Sequence, residues 1–268
     1  MVKIIYFTDP ICSSCWGIEP QLRRLKLEYG HHFEIDYRMG GLLPDWNYNS
    51  GGISKPSDVA HHWDEVSRHY DMPIDGDVWL QDPLSSSYPP SIAFKAAQLQ
   101  DPENAILFLR TLREMVFMEK VNIEKWENLA AAAKKAGLDV ETLERDFNGN
   151  AKELFKQDLA SGSQLGVRGF PTLFFMNAQG VQEKVYGTKP YATYEAALLK
   201  QLSDASKKDI HPDWKELFAK YATLTAREFA ELSQTPREQA EEVLRELVRS
   251  GYLSELTSKN GSIWRLIQ

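Results

Sequence analysis

An α/β fold with a central mixed sheet, followed by a small C-terminal unit, is what the sequence predicts. Three observations carry this. The chain opens on a strand–helix–strand pattern, and a hairpin followed by a helix closes its larger part. Between these pieces lies a long stretch of helical pattern, about residues 56–166. Beyond a polar break near Ser203–Asp213, two short helices and a second hairpin form the final unit. At 268 residues the chain exceeds the usual single domain, so one large domain with a small one is expected, divided as 1–205 and 206–268.

The elements follow in order. Lys3 to Thr8 is short, β-branched and aromatic and ends at Asp9-Pro10, which reads as a buried strand. Trp16, Leu22, Leu25 and Tyr29 then recur at helical spacing up to Gly30. Phe33, Ile35, Tyr37 and Met39 alternate along a second strand that Gly40-Gly41 breaks. Helices are expected near Ser57–Tyr70, Ser91–Gln100, Pro102–Glu119, Ile123–Ala136, Val140–Asn148 and Ala151–Leu165. Pro56, Pro90 and Pro102 occupy first-turn positions, and Gly137 is a stop. Asn47–Gly52 and Asp71–Tyr88 read as loops.

Strands return at Thr172–Met176 and Glu183–Tyr186 around Asn177-Ala178-Gln179-Gly180, followed by a helix near Tyr191–Leu202. In the tail, Thr225–Glu228 and Thr235–Glu238 are capping-box patterns. Strands are expected at Tyr252–Leu256 and Ser262–Ile267, so the tail has a winged-helix pattern.

Composition excludes several functions. A net charge of −7 disfavours general nucleic-acid or membrane binding, which needs a positive field. The tail from Thr223 to Gln268 holds six Lys and Arg against seven Glu, a poor phosphate reader, so a protein-contact role is expected for it. No apolar run reaches the length of a bilayer span. The first apolar run, ending at Asp9-Pro10, is too short for a secretory leader and no small-residue cleavage site follows, so a cytoplasmic location is expected.

Cys12 and Cys15 are the only cysteines. In a reducing compartment such a pair is redox-active or metal-binding more often than structural. A thiolate is the attacking species, and the first turn of a helix favours it through free N–H groups and the dipole. Cys12 falls at that position, so it is the expected nucleophile, with Cys15 resolving one turn deeper. Inert thiols and half of a zinc site are the alternatives. The latter lacks ligands, because His31-His32 and His61-His62 are adjacent pairs whose side chains are expected to diverge and lie at the surface. Trp46, Trp63, Trp79 and Tyr88 read as core more readily than as groove, whereas Trp16, next to Cys15, is expected near the substrate. Pro20 falls inside the expected helix, where proline costs about 3 kcal/mol and needs a reason.

Cys-x-x-Cys-x-x-x-x-Pro, with a preceding strand and the distant Gly166-Val167-Arg168-Gly169-Phe170-Pro171-Thr172, resembles the thioredoxin fold. The long helical insert makes it DsbA-like. Asp9-Pro10, Cys15-Trp16, Glu19–Leu22, Leu25–Gly30 and Tyr88–Ala97 resemble the cytoplasmic DsbA-like branch that includes the SpxH (YjbH) adaptors of the ClpXP protease. The resemblance covers roughly Lys3 to Leu202. It implies a cis Phe170–Pro171 bond beside the cysteines, with Phe170 and Pro171 contacting the substrate backbone and Pro20 kinking the active-site helix.

The resulting expectation is a thiol–disulfide oxidoreductase. Cys12 and Cys15 are catalytic, Trp16, Phe170 and Pro171 contact substrate, and no cofactor or metal is involved. Its partners would be a disulfide-containing protein or a small thiol, not nucleic acid or membrane. The alternative is an adaptor that binds a regulator protein and presents it to the ClpXP protease.

Overall fold

A computed structural model describes residues 1–47, 53–202 and 204–267. The expected loop at Asn47–Gly52 therefore lies outside the described residues from 48 onward. The chain opens with β1 (Val2–Thr8), α1 (Ser13–Gly17), α2 (Glu19–Tyr29) and β2 (Phe33–Met39). The helical stretch holds α3 (Pro56–Tyr70), α4 (Val78–Gln81), α5 (Tyr88–Gln100), α6 (Pro102–Phe117), α7 (Trp126–Lys135), α8 (Val140–Asn148) and α9 (Ala151–Gln164). Then come β3 (Thr172–Met176), β4 (Gln182–Tyr186) and α10 (Tyr191–Gln201). The tail comprises α11 (Trp214–Lys220), β5 (Leu224–Thr225), α12 (Ala226–Ser233), α13 (Arg237–Arg249), β6 (Leu253–Ser258) and β7 (Gly261–Leu266). Among the described residues no helix is long and apolar enough to cross a membrane.

The larger sheet has the order β2-β1-β3-β4, with β1 parallel to β2 and antiparallel to β3. The period of two in β1 divides its side chains between the sheet faces. Val2, Ile4 and Tyr6 pack with Leu22, Leu25, Tyr194 and Leu198 from α2 and α10. Ile5 and Phe7 turn the other way, against Phe174. The insert builds its own core around Trp63, Trp79, Phe94, Phe108 and Phe117. Trp63 and Trp79 fit the core reading, buried and meeting edge to face 5.2 Å apart, while Trp46 and Tyr88 are partly buried against the same core.

Local signals explain most boundaries. Asp101 caps α6 by accepting from the Glu103 and Asn104 N–H groups, with Pro102 in the first turn. Asp139 caps α8 in the same way. Four expectations are corrected, the first being the loop expected over Asp71–Tyr88, which holds the short helix α4. The helix after the cysteines is two helices, because α1 ends at Gly17 and Pro20 sits in the first turn of α2. There proline forfeits no helix hydrogen bond, so it starts a helix where a kink was expected. The Thr235 capping box does not form: Pro236 is the N-cap, and the Thr235 hydroxyl accepts from Ser233. The tail also holds an unexpected helix, α11, closed by an Asp213–Glu216 capping box.

The tail sheet has the order β5-β7-β6, and Leu217, Phe229, Leu244, Leu253 and Trp264 cluster beneath it. Ile263 leaves that cluster for the core of the insert. At the hairpin tip, Asn260 Nδ2 donates to Asp64 Oδ1 (2.7 Å) and to the Ile74 carbonyl (2.8 Å).

Candidate active site

Cys12 is the N-cap of α1 and Cys15 lies in its first turn. The two sulfurs form a disulfide, with the Cα atoms 5.2 Å apart. The Cys15 N–H donates to Cys12 Sγ at 3.1 Å. That contact is the one a thiolate needs, since a helix-start N–H favours an anion. Cys12 is 3% exposed and Cys15 fully buried, so approach is narrow and reaches Cys12 first. Among the described residues no group of three His, Cys, Asp or Glu could hold a metal ion. The His31 and His32 rings do not diverge as expected; their centroids lie 3.9 Å apart.

The loop leading to Cys12 is fixed by Asp9, a buried residue to which the sequence reading gave no role. Its Oδ1 accepts from Ile11 N–H (3.1 Å), while Oδ2 accepts from Leu42 N–H (2.8 Å) and the Ser87 hydroxyl (2.9 Å). Its carbonyl accepts from Cys12 N–H. Burial pushes the Asp9 carboxyl up to about 6, against those hydrogen bonds and the nearby Arg113 charge. Arg113, 1% exposed, donates to Thr8 Oγ1 at 2.6 Å and pairs with Glu19 at the start of α2. It therefore ties the end of β1 to the helix beyond the cysteines. The Ser14 and Tyr70 hydroxyls meet at 2.7 Å, and Gly17 lies against the Tyr70 ring, where a Cβ would come within 2.6 Å.

Trp16 corrects an expectation. It adjoins Cys15 but is fully buried, donating from Nε1 to the Pro73 carbonyl at 3.1 Å and stacking on Phe117. A ring with no solvent-facing surface is packing for α1 and offers substrate no contact.

Phe170 and Pro171 precede β3, and the peptide between them is cis. Phe170 is half-buried in the cluster that holds both cysteines, while Pro171 is buried and its carbonyl accepts from Gly187 N–H at 2.9 Å. Among the described residues no hydrogen bond engages the Phe170 backbone N–H or C=O. An extended chain could therefore pair there as an added strand. The Phe170 ring rests on Gly40, where a Cβ would lie 2.0 Å from Phe170 Cζ. Gly40→Val should displace that ring and cost about 1–3 kcal/mol of stability, measurable by urea unfolding. An unchanged midpoint would show that the ring has room to move.

A family model described as Thioredoxin matches residues 6–196. The ClpXP adapter protein SpxH of Halalkalibacterium halodurans is 36% identical over 274 residues, covering 100% of this chain and 89% of that protein. SpxH of Bacillus subtilis is 29% identical over 269 residues, covering 98% and 89%. The cytosolic disulfide reductase DsbM of Pseudomonas aeruginosa superposes with a TM-score of 0.57 at 19% identity, covering 73% of this chain and 92% of that one, and shares the fold.

Proposed function

The chain belongs to the thioredoxin family, alongside its SpxH relatives, and we propose that it is an adaptor of their kind whose Cys12–Cys15 pair exchanges thiols and disulfides. The exchange chemistry rests on one observation, the Cys12 sulfur held at the first-turn N–H of α1 within bonding reach of Cys15. In the reduced protein the Cys12 thiolate attacks a substrate disulfide, forming a mixed disulfide and expelling one substrate thiolate. The Cys15 thiolate then attacks Cys12 Sγ, releasing the second. Two electrons pass to the substrate, and the two substrate thiolates take up the protons the cysteines lost. Phe170 and Pro171 are the backbone contacts for that substrate.

The adaptor role is favoured by the extent of the likeness. The SpxH relatives match 98–100% of the chain, tail included, whereas the reductase neighbour covers 73% of it. We read residues 206–268 as a winged-helix-like module that contacts proteins. Its α13 arginines are already engaged, Arg237 by Asp71 and Glu241, Arg245 by Glu241 and Arg249 by Glu246. Little positive charge is left for phosphates. The partners are then a regulator protein and the ClpXP protease. A cytoplasmic location suits a redox pair that is the chain's whole cysteine complement.

Cys15→Ser tests the exchange chemistry. Without a resolving thiol, Cys12 should hold disulfide substrates as mixed disulfides that survive non-reducing electrophoresis. Adducts absent from Cys12 would overturn the exchange reading.

A further inference from the structure

We propose that Arg110 and Glu228 are positioning residues for the Cys12–Cys15 pair, because the tail holds Trp16, and through it α1, from two sides. The inference rests on the exchange reading of that site. Helix α1 has five residues, too few to keep its geometry unaided, so packing must orient it. Trp16 is its largest buried side chain.

Besides the stack on Phe117, two polar groups meet the ring. The Arg110 guanidinium lies 4.2 Å from the ring centroid, a cation–π contact. Arg110 is fixed on two sides, by Glu114 of its own helix, which accepts from Nε, and by Glu228 of the tail, whose carboxylate accepts from Nη1 at 2.8 Å and from Nη2 at 3.0 Å. Glu228 cannot turn away easily. It is fully buried, and its Oε2 also accepts from Thr225 N–H at 2.8 Å, closing the capping box of α12. Burial alone would raise its carboxyl, but Arg110 and Arg23 outweigh that and hold it below its usual range.

The second group is the Pro73 carbonyl that accepts from Trp16 Nε1. The loop carrying Pro73 is gripped by the tail hairpin. Asn260 bonds the Ile74 carbonyl and Lys259 pairs with Asp77 at 3.0 Å. Gly261 sits so close to Pro73 that a Cβ would come within 3.1 Å of it. Thr225, the N-cap of α12, donates to Met72 Sδ at 3.2 Å. Both polar contacts to the ring thus depend on residues more than a hundred positions away in the tail.

The test uses the full-length chain carrying Arg110→Met with Glu228→Gln. Removing both charges leaves neither of the two facing an unpaired partner, as either change alone would. Arg23 and Glu114 lose one contact each, but Arg23 still pairs with Glu19 and Glu114 still accepts from the Thr223 hydroxyl. Two readouts report on the cysteines: the iodoacetamide rate at Cys12 in the reduced protein at pH 7, and the fraction of Cys12–Cys15 disulfide in glutathione buffers. The double variant should react about threefold more slowly at Cys12 and shift its glutathione equilibrium about as much. Arg110→Lys, which keeps a cation over the ring, should recover at least about half the rate. A folded double variant with both readouts unchanged would overturn the proposal. Should it fail to fold, Lys259→Ala with Asn260→Ala releases the Pro73 loop from the surface, and unchanged readouts there would overturn it equally. A wild-type chain that forms no Cys12–Cys15 disulfide in glutathione would sink the exchange reading instead, while the alkylation comparison would still report on Cys12 placement.

Discussion

Cys12→Ser is expected to abolish disulfide exchange, lowering the rate of insulin-disulfide reduction by at least about a thousandfold. The size of the effect follows from the cysteine count, because the chain has no third thiol and Cys15 is fully buried. A serine hydroxyl is not ionised near neutral pH and cannot replace the thiolate. The substitution should leave the fold intact, which makes it a clean probe. Cys12 is an N-cap, and serine is among the preferred residues there. The lost disulfide closes a loop of four residues, whose cross-link contributes about 2 kcal/mol on chain-entropy grounds. Insulin reduction reads the chemistry, and protease-dependent loss of a bound regulator reads the adaptor role. Partner binding that survives within about twofold while reduction vanishes would separate the two. Residual exchange near the wild-type rate would show that Cys12 is not the nucleophile.

The features legible in the sequence are those fixed within a few residues of chain. Val140–Asn148 and Thr172–Met176 were expected with the bounds they have, one capped by Asp139 and the other β-branched and aromatic. Cys12 and Cys15 are readable for the same reason, since strand, turn and helix start are consecutive. Helix α11 was hidden because it is seven residues long and follows the polar run Lys207-Lys208-Asp209, which reads as linker. Trp16 was misplaced because position beside Cys15 says nothing about which way a ring points. Its burial depends on Phe117, Pro73 and Arg110, all distant in the chain. Asp9 belongs to the same class. Its neighbours Ile11, Leu42 and Ser87 come from three segments, and no local pattern marks a carboxylate on which they converge. Local propensity wrote the elements, and tertiary packing chose the roles of the side chains around the cysteines.

That convergence on Asp9 gives a pH dependence whose sign can be worked out. Its carboxyl stands at about 6 when folded and 3.8 as an unperturbed group, so between these values the folded chain holds a proton that the unfolded chain has lost. Raising the pH through that window therefore favours unfolding. The stability is fully present below about pH 4 and falls by about 3 kcal/mol once the folded group ionises. Asp9→Asn removes the titration and alters the hydrogen bonds. Its amide oxygen can still accept from Ile11 N–H, and the Ser87 hydroxyl can turn to accept from the amide N–H. The Leu42 N–H loses its acceptor, which costs about 1–3 kcal/mol at any pH. The variant should then be the less stable protein at pH 4 and equal or better at pH 7.5. Urea unfolding of both proteins across that range checks this, because the difference between the curves cancels every other carboxylate. Curves that stay parallel from pH 4 to 7.5 would mean that Asp9 is ionised in the folded protein throughout. In that case the three hydrogen bonds it accepts, not its burial, govern its charge.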